Sequence, residues 1–223
     1  MNNTTIDYVD FAEYDRRQRA IERHLVTAFL GGLVVGVLGM LLSGIGPRWF
    51  GQIYDPYVYL ALSLAVGVSA SGFGWALVTT FLAAVSTLVA ALGATALSGD
   101  QAFDVIGGSA VGLNWTLGLL VVLGLLAYVT RRDDGWGDVA AGAIGAALIT
   151  DVVDRCTPGF IDGDQSFWPG PAVSVGLLAL GLVFFLRRNA GGRVRALAMS
   201  AVFAALFTFC LAAFVAGWFP LAA

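Results

Sequence analysis

The length of its uncharged runs constrains this chain more than any other feature. Ile106–Thr130 is a 25-residue apolar stretch that stops at Arg131-Arg132-Asp133-Asp134, and a second apolar stretch, Val139–Asp154, follows the turn. A helix rises ~1.5 Å per residue, so about 20 apolar residues cross the ~30 Å hydrocarbon layer of a bilayer. Runs of this kind recur from end to end, and every polar segment between them is shorter than twenty residues. Hydrophobic residues make up 58% of the chain and charged residues 12%, with a mean hydropathy of +0.83. That balance lies outside the range of soluble globular domains.

The runs divide into seven predicted spans, at about 24–44, 57–70, 75–97, 106–130, 139–154, 172–186 and 194–219. The second and third come from one forty-residue stretch, broken at Ser71-Gly72-Phe73-Gly74. Arginine placement orients them. With seven crossings and a cytoplasmic N-terminus, ten of the twelve arginines (16, 17, 19, 23, 131, 132, 187, 188, 193, 195) lie inside, and only Arg48 and Arg155 lie outside. If the short second run did not cross, every later loop would flip, leaving five inside and seven outside. The tendency of cytoplasmic loops to carry the basic residues favours the first arrangement. Residues 1–23 read as a short interfacial helix, acidic toward its start and basic toward its end as a helix dipole prefers. Its length and its acids argue against a cleavable signal peptide. Pro47–Pro56 and Cys156–Pro171 read as outer loops, and five of the six tryptophans (49, 75, 136, 168, 218) fall at span ends. The sequence therefore predicts an all-α integral membrane protein. It is a seven-transmembrane-helix bundle forming one domain over residues 24–219, with the C-terminus outside, in the cell membrane of a prokaryote.

Several chemistries lack their residues. All twelve basic residues are arginine, so no lysine can form a Schiff base. The single histidine, His24, sits at the mouth of the first span, which leaves no histidine inside the bilayer for a catalytic triad, a zinc site or haem ligation. Cys156 and Cys210 should lie at different depths and read as two separate thiols. Asp162-Gly-Asp164-Gln-Ser166 opens like a calcium loop, but Phe167 and Val173 stand where the glycine and glutamate would be needed. No cofactor, metal or nucleic acid is expected.

What remains is sparse. An ionisable residue inside a span is a candidate for function by default. Asp151 is one, in the outer half of its span, either paired with Arg155 four residues on or forming a proton- or cation-binding carboxylate at an outer vestibule with Asp154 and Asp162. Asn114, on the preceding span, should lie within about one helical turn of Asp151 in depth, as an interhelical hydrogen-bonding group or part of a polar path. Small residues recur at helical spacing: Gly32, Gly36 and Gly39 in the first span, Gly108-x-x-x-Gly112 and Gly142-x-x-x-Ala146 in the central pair, Ala201 and Ala205 in the last. Such faces let helix backbones approach closely in lipid. Ala146-Ala147-Leu148-Ile149-Thr150 and Ala204-Ala205-Leu206-Phe207-Thr208 also resemble each other at an offset of 58, a match that this alanine- and leucine-rich composition makes unremarkable.

Two functions fit these residues. The first is a non-enzymatic subunit or assembly component of a membrane complex, partnered by other membrane subunits or by further copies of itself within the lipid bilayer. The second is a transporter or channel for an ion or small solute, with Asp151 and Asn114 lining the path. The scarcity of buried polar groups favours the first, and a third reading, an intramembrane enzyme, fares worst for want of histidine, lysine or paired carboxylates at mid-membrane.

Overall fold

The computed structural model describes residues 8–45, 48–98, 110–157 and 169–215. Seven helices account for nearly all of them: α1 (Tyr8–Ile45), α2 (Arg48–Ser69), α3 (Phe73–Ser98), α4 (Ala110–Val129), α5 (Gly135–Cys156), α6 (Pro169–Leu186) and α7 (Ala190–Val215). Among the described residues there is no strand. Five helices contain segments long and apolar enough to cross a membrane: Glu13–Leu42, Phe73–Ala94, Gly112–Val129, Gly135–Val153 and Ala190–Ala213. Tyr57–Ser69 and Ala172–Leu186 are shorter apolar segments. This architecture is consistent with a helical protein embedded in a membrane.

Two boundaries differ from the sequence reading. Residues 8–23 do not form a separate interfacial helix, because α1 runs unbroken for 38 residues. No glycine or proline falls between Tyr8 and Leu30, and the Arg-Gln-Arg-Ala-Ile-Glu-Arg segment is built from strong helix formers. Nor is Pro47–Pro56 a loop throughout. α2 starts directly after Pro47 and continues through Pro56, so its 22 residues exceed the expected second span. The break at Ser71-Gly72 is present, and the Arg131–Asp134 turn separates α4 from α5.

The contacts group the chain into two compact units, Met1–Leu125 and Leu126–Ala223. In the first, α1 packs on α3 and on α2. Its contact with α3 is made by glycines: a Cβ on Gly32 would meet the Ala83 carbonyl oxygen at 2.5 Å, and one on Gly36 would meet the Ala90 Cβ at 2.8 Å. Both numbers ascend together, so α1 and α3 run parallel. α2 runs antiparallel to α1, with Leu62 near Gly31 and the Tyr54 and Tyr59 rings over Gly39. Those rings meet edge to face at 6.0 Å, and the Tyr54 hydroxyl donates to the Val35 carbonyl at 2.9 Å. Leu120 and Ala84 complete this cluster.

The second unit repeats the plan. α5 and α7 run parallel, with Gly142 against Ala196, Met199 and Ser200, and Gly145 against Ser200. α6 returns antiparallel, bringing Val183 to Gly145 and Val152 to Gly176. The buried α7 residues Ala196, Ser200, Ala204 and Thr208 recur every fourth position, as do Asp138, Gly142, Ala146 and Thr150 on α5. The offset between the two series is 58. The resemblance of the two Ala-Ala-Leu-x-Thr segments is thus also a packing register, in which equivalent small residues flank one seam.

Candidate functional site: a buried aspartate clasped by two arginines

The site is built where the second unit's chain segments turn. After α4, Asp134 caps α5: its Oδ1 accepts a bond from the Gly137 amide at 3.2 Å, satisfying one of the free donors of the first turn. Arg132 clamps the other oxygen, with Nε at 2.9 Å and Nη2 at 2.7 Å from Oδ2. The bond from Arg132 holds the Asp134 carboxyl below the usual carboxylate range, and the same pairing raises the guanidinium.

One turn further along α5, Asp138 lies in the interior with its side chain 3% exposed. Its Oδ1 is 2.5 Å from Nη2 of Arg187, a side chain 4% exposed, and its Oδ2 accepts from Nε of Arg195 at 2.7 Å. A negative charge in the first turn of a helix is favoured by the helix dipole. Arg187 follows directly on the end of α6 and does more than pair with this acid. Its Nη1 donates to the carbonyls of Arg132 at 2.6 Å and Thr130 at 3.2 Å, acceptors that the end of α4 leaves without helical partners. Arg193 Nε in turn donates to the Arg187 carbonyl at 2.8 Å, while its guanidinium lies 5.2 Å from the Phe184 ring centre.

Two glycines make the clasp sterically feasible. A Cβ on Gly192 would stand 2.9 Å from Asp138 Oδ1, and one on Gly137 would stand 2.6 Å from Arg187 Nη1. The clasp is not saturated. Oδ1 of Asp138 and Nε of Arg187 form no hydrogen bond, so their mutual attraction is chiefly ionic, and the directed bonds of Arg187 go to backbone. Desolvating such a pair costs several kcal/mol, which the ionic contacts and carbonyl bonds offset. With both oxygens facing guanidinium groups, Asp138 offers no open position to a cation. Beside the clasp lies an open groove of about 410 Å³ lined by Gly135, Trp136, Asp138, Val139, Arg195 and Met199.

The sequence reading missed this site. In the sequence the fifth apolar run starts only at Val139, and Arg187 serves as a marker of orientation. The available signal was an acid in the first helical turn with glycine, not a basic residue, four positions later. Locating its partner requires the fold, because Arg187 and Arg195 are 49 and 57 residues away.

The sequence-predicted residues lie elsewhere. Asn114 is exposed on α4 in the first unit, while Asp151 is half-buried on α5 in the second. The side chains of Asp154 and Arg155, and Gly108 altogether, lie outside the described residues. The Gly112 carbonyl accepts from the Thr116 hydroxyl at 3.0 Å. Gly32, Gly36, Gly39, Gly142 and the fully buried Ala146 sit at close helix approaches. Ala201 and Ala205 do not: they are exposed, and the buried face of α7 lies one residue earlier, at Ala196, Ser200 and Ala204. That register packs Ser200 on Gly142 and Gly145 and brings Arg195 within reach of Asp138. Cys156 and Cys210 are both free and exposed. Among the described residues, no cluster of three or more His, Cys, Asp or Glu is placed to hold a metal.

Among the described residues, the other buried polar side chains are hydroxyls, and most are spent locally. Thr79, Thr80, Ser86, Thr87 and Ser200 donate to carbonyls three or four residues back on their own helices. Ser86 and Thr87 share the Ala83 carbonyl, while the buried Thr150 and Thr208 hydroxyls have no hydrogen-bond partner among the described residues. Comparison of the chain with family models, curated proteins and solved structures finds no match.

Proposed function

We propose that the protein is a non-enzymatic subunit or assembly component of a membrane complex, crossing the cell membrane seven times with its N-terminus in the cytoplasm. The observation that carries this reading is the second small-residue face of α7. Ala196, Ser200, Ala204 and Thr208 are used internally, yet Ala201 and Ala205 form another small stripe one position round, exposed beside Val202, Leu206 and Phe209. A face turned only to lipid has no need of small residues, whereas a further helix packing there does. The local use of buried hydroxyls and the closed Asp138 clasp agree with a packing role rather than a solute path. No described feature favours the transport reading, in which Asp151 and Asn114 would act together.

The test is association in native membranes. Extracted in mild detergent, the protein should run with a stoichiometric second polypeptide or with further copies of itself. Ala201→Leu with Ala205→Leu should abolish that species while leaving helix content and melting temperature unchanged. A monodisperse single chain that carries out an ion flux abolished by Asp151→Asn would overturn the reading.

A further inference from the structure

Arg195 is the one member of the clasp that is not enclosed. Its Nε is committed to Asp138, but the side chain is 64% exposed, and among the described residues its Nη nitrogens have no acceptor. It stands on the rim of the 410 Å³ groove, whose floor and wall are the apolar Val139, Met199 and the exposed ring of Trp136. The groove opens at the end of the second unit where the two turns meet, joined by the Arg187–Arg132 bond. Those turns and the adjoining first helical turns carry six arginines (131, 132, 187, 188, 193, 195) against Asp133, Asp134 and Asp138. A positive field therefore surrounds a cleft with an apolar floor, a cationic rim and an aromatic wall.

We infer that this groove binds the headgroup of an anionic phospholipid, its phosphate on the Nη edge of Arg195 and the start of an acyl chain along Val139 and Met199. This goes beyond the subunit role and requires only that α5 and α7 lie in a bilayer with this end at its surface. The shared chemistry is a phosphate oxyanion, which a guanidinium edge accepts in a two-pronged geometry. The apolar floor selects the lipid over the free ion, since inorganic phosphate gains nothing from Val139, Met199 or Trp136. Asp138 has a positioning role here: by holding Nε, it fixes the orientation of the guanidinium.

The experiment uses the full chain in nanodiscs of phosphatidylcholine containing phosphatidylglycerol, with lipids retained after gentle release counted by native mass spectrometry. Phosphatidylglycerol should be retained in preference to phosphatidylcholine. Arg195→Gln should lower its retention about fivefold, the factor carried by one basic residue near an anionic surface. Trp136→Ala, at an exposed position with little bearing on folding, should also lower it, whereas Arg188→Gln, an exposed arginine that does not line the groove, should not. Added inorganic phosphate should not displace the lipid. Equal retention of the two lipids, unchanged retention in both groove variants, an Arg188→Gln loss equal to that of Arg195→Gln, or displacement by phosphate would each overturn the assignment.

Discussion

Asp138 shows how much one side chain can organise when it has left water. Its carboxylate neutralises a guanidinium that also closes the end of α4, so a single substitution reaches three chain segments. Asp138→Asn keeps the shape but leaves Arg187 buried without a counter-charge, a change that typically costs about 3–5 kcal/mol. The variant should show a clearly lowered melting temperature in detergent and faster amide exchange in the 130–134 turn. Arg188→Gln, which also removes one charge, of opposite sign, at an exposed position, should leave both unaltered. If Asp138→Asn melts with the parent, the clasp is not a structural joint. None of this was legible residue by residue, because an aspartate beside a glycine at the edge of an apolar run reads as an ordinary helix start. The difference between a solvated cap, such as Asp134, and an enclosed acid, such as Asp138, is one helical turn.

At the scale of elements, parallel neighbours meet through residues too small to hold them apart. α1 meets α3 through Gly32 and Gly36, and α5 meets α7 through Gly142, Gly145 and Ser200. Between apolar helices in lipid, association depends on close packing rather than on the hydrophobic effect, so an added side chain should act directly on the seam. Gly142→Leu would drive a branched side chain into Met199 and Ser200 and should destabilise the second unit by about 1–3 kcal/mol or more, the usual cost of overpacking. Measured by denaturant unfolding in detergent, it should differ sharply from Ala201→Leu on the exposed face. An equal effect of both would mean that the α7 register is wrong. The small-residue pattern in the sequence pointed to most of these approaches. It pointed to Ala201 and Ala205 where Ala204 is the buried one, since alanines at neighbouring positions of α7 give two stripes of similar spacing, and only the packing of Ala196 and Ser200 on Gly142 distinguishes them. Helix continuity was likewise beyond a hydropathy reading: α1 changes from polar to apolar midway, yet its backbone has no reason to break there.

On the scale of the whole molecule, each compact unit contains an up-down-up triplet whose first and third helices are parallel and packed together, with α2 or α6 as the return. The long apolar runs anticipated a helix at each of the seven places, although not that the first would continue back to Tyr8. They did not reveal that the first helix of each triplet pairs with the third, because that contact joins residues more than fifty positions apart. The proposed seven-crossing arrangement makes a direct prediction. In a variant with Cys156 and Cys210 replaced by serine, single cysteines at Asp133 and Asn189 should react with a membrane-impermeant thiol reagent only from the cytoplasmic face, and one at Asp100 only from the opposite face. Reaction of all three from one face would disprove it. The Asp138–Arg187 joint also sets an order of events during synthesis. The acid leaves the ribosome about fifty residues before its first partner, so for that interval the nascent chain carries an uncompensated anion at the threshold of the insertion machinery. Only when the linker after α6 emerges can the charge be matched, which makes the arrival of Arg187 the step that locks what came before.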